Sequence, residues 1–110
     1  MKEVKRPWGD FKQFVLNKKC TVKILSLNHN QELSLQIHKK RTEMWYFLDK
    51  AIVQLGKKRM KVSIGDIIKI KKMVPHRIIA GKNKVQVLEI SFGKFDEKDE
   101  IRLEDIYGRK

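Results

Sequence analysis

The chain has 110 residues, enough for one domain with a real core, and none of its apolar runs approaches the roughly 18 residues of a membrane helix. Cys20 is the only cysteine, which excludes an intrachain disulfide, and the charged start Met1 to Arg6 has no apolar stretch behind it, so a soluble, unprocessed, cytoplasmic protein is expected. Lys plus Arg number 26 against 13 Asp plus Glu, and the formal +13 attracts phosphates, anionic sugars or nucleic acid without choosing among them.

In chain order, apolar residues recur at period two or in short β-rich runs: Phe11 to Leu16, Thr21 to Leu27, Leu33 to His38, Trp45 to Leu48, Ile52 to Leu55, Met60 to Ile64, Ile67 to Ile70, Arg77 to Ala80 and Val85 to Phe92. Turn-type clusters separate them at Asn17-Lys18-Lys19, Asn28-His29-Asn30, Gly56-Lys57-Lys58, Gly65-Asp66 and Gly81-Lys82-Asn83-Lys84. Nine short strands at this spacing predict an all-β antiparallel sandwich or barrel, a jelly roll among the leading options, spanning residues 1–110 as one domain. One segment, Glu97 to Tyr107, is acidic early and ended by Gly108, and is predicted to be a short C-terminal helix. The basic residues fall in scattered pairs such as Lys39-Lys40-Arg41 and Lys57-Lys58-Arg59. That pattern fits loops and protected sheet edges better than a nucleic-acid surface, so neither membrane nor nucleic acid is an expected partner.

Four side chains stand out for their chemistry. Gln36 and His38, two apart in an alternating run, face the same way on a strand. Glu43 opens the next extended run, and a hairpin across Lys39 to Thr42 is expected to fold it back beside that pair. His76, in Pro75-His76-Arg77, then closes a mixed N/O site suited to Zn, Mn, Fe, Co or Ni.

The strand count, the Gln-x-His-x4-Glu group and the later His together resemble the cupin superfamily. Gln36 stands where the first motif of that superfamily usually has His. Within it the chain resembles the cupin domain of type II mannose-6-phosphate isomerases, commonly fused behind a mannose-1-phosphate guanylyltransferase. The shared features run from Arg6-Pro7-Trp8-Gly9 through Leu33-Ser34-Leu35-Gln36-x-His38, Arg41-x-Glu43-x-Trp45, Gly65-Asp66 and Pro75-His76-Arg77 to Arg102-Leu103-Glu104-Asp105-x-Tyr107-Gly108-Arg109. The chain departs from the family pattern at Lys39, Lys40 and Met44, where histidines are usual, at Lys71-Lys72-Met73, where a Pro-x-Gly turn is usual, and at Asn30 and Lys50, which replace glycines.

The resemblance implies a double-stranded β-helix and one divalent metal ion held by Gln36, His38, Glu43 and His76. It implies interconversion of mannose 6-phosphate and fructose 6-phosphate, in the service of mannose-nucleotide and polysaccharide biosynthesis. Such a reaction needs a proton-transfer group, for which Glu89, interrupting an apolar strand, is the candidate, with Arg77 beside it in the catalytic set. Arg41, Arg77, Arg102 and Arg109 match family motifs and are candidates for the phosphate, because a guanidinium binds its oxygens bidentately. Pro7-Trp8-Gly9 is expected to pack an N-terminal arm onto the barrel or a second subunit, which makes a homodimer the expected assembly. The alternative function is a non-catalytic phosphosugar-binding cupin that partners a separate nucleotidyltransferase, since the Gly-rich nucleotide loop of that activity is absent from these 110 residues.

Overall fold

The computed structural model describes residues 1–109, all of whose regular structure is β. Eleven strands follow one another: β1 (Lys2–Arg6), β2 (Gly9–Gln13), β3 (Cys20–Leu27), β4 (Leu35–Ile37), β5 (Arg41–Phe47), β6 (Ala51–Leu55), β7 (Lys58–Val62), β8 (Ile67–Ile70), β9 (His76–Ile79), β10 (Val85–Gly93) and β11 (Ile101–Glu104). The central eight pair antiparallel as nested hairpins: β3 with β10, β4 with β9, β5 with β8 and β6 with β7. Further pairing of β10 with β5 and of β6 with β9 joins them into two facing sheets, β3-β10-β5-β8 and β11-β4-β9-β6-β7. This nesting is the jelly roll expected from the strand spacing.

The register sorts the side chains. Along β5, Arg41, Glu43, Trp45 and Phe47 point inward and are buried, whereas Thr42, Met44 and Tyr46 face out. Opposite them on β10, Val85, Val87, Glu89 and Ser91 also point inward. The core gathers Leu27, Trp45, Phe47, Val53, Val62, Ile70, Ile78, Val85 and Val87 between the sheets. Each fully buried Val, Ile or Phe there contributes about 1.5–3 kcal/mol. The tight β6–β7 turn places Gly56 at φ 59, a left-handed conformation that glycine adopts without strain.

Three expectations need correction. Residues 97–107 form no helix: Ile101 and Leu103, two apart, give a strand period, and Ile101 and Arg102 pair with the edge of β4 opposite Ile37 and Gln36. A lone helix of this length is marginal, whereas an open sheet edge offers partners for the backbone. Second, β4 and β5 are not a hairpin. Residues 39–40 carry the chain from one sheet to the other, and β4 pairs with β9 and β11 instead. Third, two strands went unforeseen: β1, which has Val4 alone among charged residues, and β11, which lies in the segment predicted to be helical. β1 and β2 form a separate two-stranded arm.

Candidate metal centre

One end of the barrel interior is polar. His38, just beyond β4, His76, at the start of β9, and Glu43, in β5, converge there from both sheets, each no more than 3% exposed. Glu43 Oε1 stands 2.9 Å from His38 Nε2 and 3.2 Å from His76 Nε2. The imidazole rings lie 4.9 Å apart. One ligand atom from each of the three residues falls within 4.8 Å of the others.

The second nitrogens decide the chemistry. His38 Nδ1 lies 2.6 Å from the Asp99 carbonyl and His76 Nδ1 2.8 Å from the Val74 carbonyl, so each Nδ1–H donates to a backbone oxygen. In the neutral imidazoles this fixes the Nε2 lone pairs toward Glu43. Although His76 Nε2 and Glu43 Oε1 are close, neither has a hydrogen-bond partner. Three lone-pair donors thus face one another, with positive charge supplied from one side by the Arg41 guanidinium, 3.3 Å from His38 Nε2 and 3.9 Å from Glu43 Oε2. A divalent cation satisfies all three at once, and two imidazoles with a carboxylate suit Zn, Mn, Fe, Co or Ni. The residues present therefore fit a metal ion.

The surrounding charges are consistent with this. Burial opposes ionisation of Glu43, but the facing imidazoles of His38 and His76 and the neighbouring Glu89 carboxyl outweigh it and hold the carboxyl well below its usual range. Burial also works against a charged His38, yet Glu43 and the Asp99 carbonyl raise its pKa above the ordinary value. Ser91 Oγ donates to Glu43 Oε2 at 3.2 Å. Next to this cluster, Glu89 accepts a hydrogen bond from Trp45 Nε1 at 2.9 Å. Burial first, and then the charge of Glu43, push the Glu89 carboxyl up to about 7.

The remaining sequence candidates are placed as follows. Gln36 is registered opposite His76, but its amide lies against the Glu100 carboxylate, to which the nitrogen donates once the amide oxygen and nitrogen are exchanged. Arg41 is 5% exposed, with one terminal nitrogen 3.3 Å from His38 Nε2 and the other donating to the Asp96 carbonyl. Arg77, beside His76 on the strand, points to the opposite face, where Glu32 and Glu104 each hold it at 3.3 Å. Arg102 pairs with Glu100 at 2.9 Å, and Arg109 with Asp105 at 2.8 Å. The structure thus gathers His38, Glu43, His76, Arg41 and Glu89, and leaves Arg77, Arg102 and Arg109 in ion pairs elsewhere.

Sequence reasoning missed the strap that closes this end, residues 94–100. Asp99 caps the amides of Lys39 and Lys40 with its two carboxylate oxygens, each at 2.9 Å. Lys23 and Arg41 both stand over the Phe95 ring, 4.1 and 4.5 Å from its centre. The acidic run that suggested a helix start was the available signal, since carboxylates cap loop amides as readily as helical ones. At the missing Pro-x-Gly turn, Met73 adopts φ 66 and its amide donates to the His38 carbonyl at 2.8 Å, so His76 still reaches the site.

Nested antiparallel strands with an imidazole–carboxylate–imidazole cluster at one end define a cupin-type domain. A cupin protein from Bacteroides fragilis superposes with a TM-score of 0.61 at 16% identity, covering 81% of this chain and 92% of that one. The chain belongs to the family described as mannose-6-phosphate isomerase C-terminal, whose profile matches residues 1–105. It is 32% identical to the alginate biosynthesis protein AlgA of Pseudomonas aeruginosa over 97% of its own length. It is 29% identical to the mannose-1-phosphate guanylyltransferase ManC of Salmonella typhimurium over 98% of its length. The chain spans 23% of the length of either relative.

Proposed function

We propose that this domain is a metal-dependent aldose–ketose isomerase that interconverts mannose 6-phosphate and fructose 6-phosphate for mannose-nucleotide and polysaccharide biosynthesis. The observation that carries this reading is the convergence of His38, Glu43 and His76 with their Nε2 lone pairs and carboxylate turned inward, beside a carboxyl whose pKa lies near neutrality. A bound divalent ion supplies Lewis acidity toward the sugar's carbonyl and hydroxyl oxygens. Gln36, registered beside His76, supplies a further donor once its amide leaves Glu100.

Glu89 is the proton-transfer group. Partly ionised at neutral pH, it takes the C2 proton of the aldose and returns it to C1, and a pKa near the working pH serves both directions. Trp45 holds its second oxygen and so fixes the direction in which the first one points. Arg41 and Lys23, both standing over the Phe95 ring, attract the phosphate. Substrate reaches the buried donors when the strap at residues 94–100 lifts, which breaks the Asp99 caps on Lys39 and Lys40.

The test is a direct assay of the two sugar phosphates with protein loaded in turn with Zn, Mn, Co, Ni and Fe. The expected result is turnover with at least one metal, loss of both metal and turnover in His38→Ala, and loss of turnover with metal retained in Glu89→Gln. Stoichiometric loading without turnover for every metal overturns the isomerase reading. The closed strap favours one second reading, a phosphosugar-binding cupin that partners a separate nucleotidyltransferase. It predicts calorimetric binding of mannose 6-phosphate in the absence of turnover.

A further inference from the structure

The crossover from β4 to β5 meets the strap in a contact that the proposed chemistry breaks without putting to use. β4 ends at Ile37 and β5 begins at Arg41, so the amides of Lys39 and Lys40 belong to neither sheet. Both point instead at one group: Lys39 N donates to Asp99 Oδ1 and Lys40 N to Asp99 Oδ2, each at 2.9 Å. Successive amides of a bend that converge on the two oxygens of one anion form a nest, a backbone concavity that binds phosphates as it binds carboxylates. The Lys39 amide, working against burial, joins the Lys40 amide and the nearby His38 and Arg41 in holding the Asp99 carboxyl below its usual range. The field at this spot already favours an anion.

Charge is divided between the two sides of the contact. The crossover side reads Lys39-Lys40-Arg41, all basic, whereas the strap carries Asp96, Glu97, Asp99 and Glu100 against Lys94 and Lys98. Where they meet lies a hollow of about 240 Å³, and its three carboxylates, Asp96, Asp99 and Glu100, all come from the strap. The strap leaves β10 at Gly93, whose φ of 99 is open to glycine, and a Cβ added there would stand 2.7 Å from the Lys40 carbonyl oxygen. Glycine therefore lets the strap turn this close beneath the crossover. When the strap lifts, the acidic side departs and the basic side stays. Two bare amides are left beside two ammonium groups and the buried Arg41 guanidinium, whose Nε lacks a hydrogen-bond partner.

We propose that the Lys39 and Lys40 amides are the seat of a phosphomonoester dianion, and that the Asp99 carboxylate is its internal stand-in, holding the strap shut until a phosphorylated ligand replaces it. The inference rests on the phosphosugar reading above and adds where the phosphate goes. Lys39 follows His38 directly, so a phosphate seated here lies one residue from a metal donor, and the displacement that seats it also uncovers the donors. Lys39 and Lys40, where the family usually has histidines, carry full positive charge at neutral pH, which imidazoles at their ordinary pKa do not. Because Asp99 competes from within the chain, it lowers the apparent affinity for phosphate by the fraction of molecules in which it fills the seat.

The test follows amide chemical shifts of the ¹⁵N-labelled full chain as inorganic phosphate, mannose 6-phosphate or mannose is added, with metal removed so that phosphate cannot bind through an ion. Both phosphates are expected to move the Lys39 and Lys40 amides, and mannose to leave them in place. Asp99→Asn keeps the backbone carbonyl that His38 meets and removes the competing charge. It should tighten phosphate binding about tenfold, the worth of one charge-assisted hydrogen bond. Lys40→Glu, at an exposed position, should weaken binding by a similar factor, and it carries the test if melting curves show that Asp99→Asn does not fold. Unchanged phosphate affinity in either folded variant overturns the seat. So does phosphate that moves only the amides around Arg102 and Arg109, or that moves lysine-bearing segments throughout the chain alike. Turnover is not read here: a seat found in a protein that isomerises nothing refutes the isomerase reading alone, and an isomerase without the seat refutes this inference alone.

Discussion

The two halves of the barrel interior differ in kind, although the same strands build both. Toward one end β5 and β10 contribute Phe47, Val85 and Val87, all fully buried and packed on Val53 and Ile78. Toward the other end the same alternation contributes Arg41, Glu43, Glu89 and Ser91, joined by His38 and His76. Between them lies Trp45, whose ring packs edge-on to Phe47 on one side and to His76 on the other. The apolar half supplies stability, because removing its area from water is favourable without any partner. The polar half loses hydration for every group it buries and regains it only through specific contacts. It is therefore the half that needs a ligand, and the apolar half is what keeps it assembled without one.

Substitutions separate the two halves, beginning with the largest effect. Phe47→Ala is expected to cost about 3–5 kcal/mol of folding stability in a urea melt, through the cavity it opens. Metal content of the fraction that folds should stay at the wild-type level. His76→Ala should do the opposite, lowering metal affinity by at least about 100-fold in calorimetry while lowering metal-free stability far less than Phe47→Ala does. Equal damage to both properties by both variants breaks the division.

A pH series sharpens it further. The Glu89 carboxyl is raised from 4.5 to about 7 on folding, so between these values the folded state holds a proton that the unfolded state has lost. Its contribution to stability accordingly falls as pH rises from 4.5 through 7. In metal-free protein, Glu89→Gln should remove that decline, so that the variant gains on the wild type in melting temperature between pH 5 and pH 8. A constant difference across the series contradicts the buried, charge-coupled state of Glu89. The smallest expected effect is at the margin of the site. Met73 holds φ 66, a left-handed conformation that costs a non-glycine residue about 1 kcal/mol, so Met73→Gly should stabilise by about that amount with metal affinity unchanged.

The apolar half was the more legible in the sequence. Ile67–Ile70 was located to the residue and Cys20–Leu27 and Val85–Gly93 to within one residue, because apolar residues recur through each of them. Lys2–Arg6 has only Val4 to mark it, and Ile101–Glu104 lies in an acidic stretch that read as a helix start, which is why both escaped. His38, Glu43 and His76 were identifiable because few side chains can hold a metal. The means of their convergence was not, since a hairpin and a crossover between sheets place Glu43 near His38 equally well. Asp99 left only the acidic run as a trace, and its capping of Lys39 and Lys40, sixty and fifty-nine positions away in the chain, could not be read from spacing. The arginines were legible as charges, but whether each faces the site or a neighbouring carboxylate depends on strand register, which spacing along the chain does not reveal.

One consequence follows from where the three donors originate. His38 and His76 belong to one layer of the sandwich and Glu43 to the other, so an ion seated among them would act as a rivet through both layers at the polar rim. Stripping the ion frees that rim to breathe while the opposite end stays shut. In hydrogen exchange, amides near residues 38–43 and 73–76 should then fall out of protection well before those of Val53 and Val87.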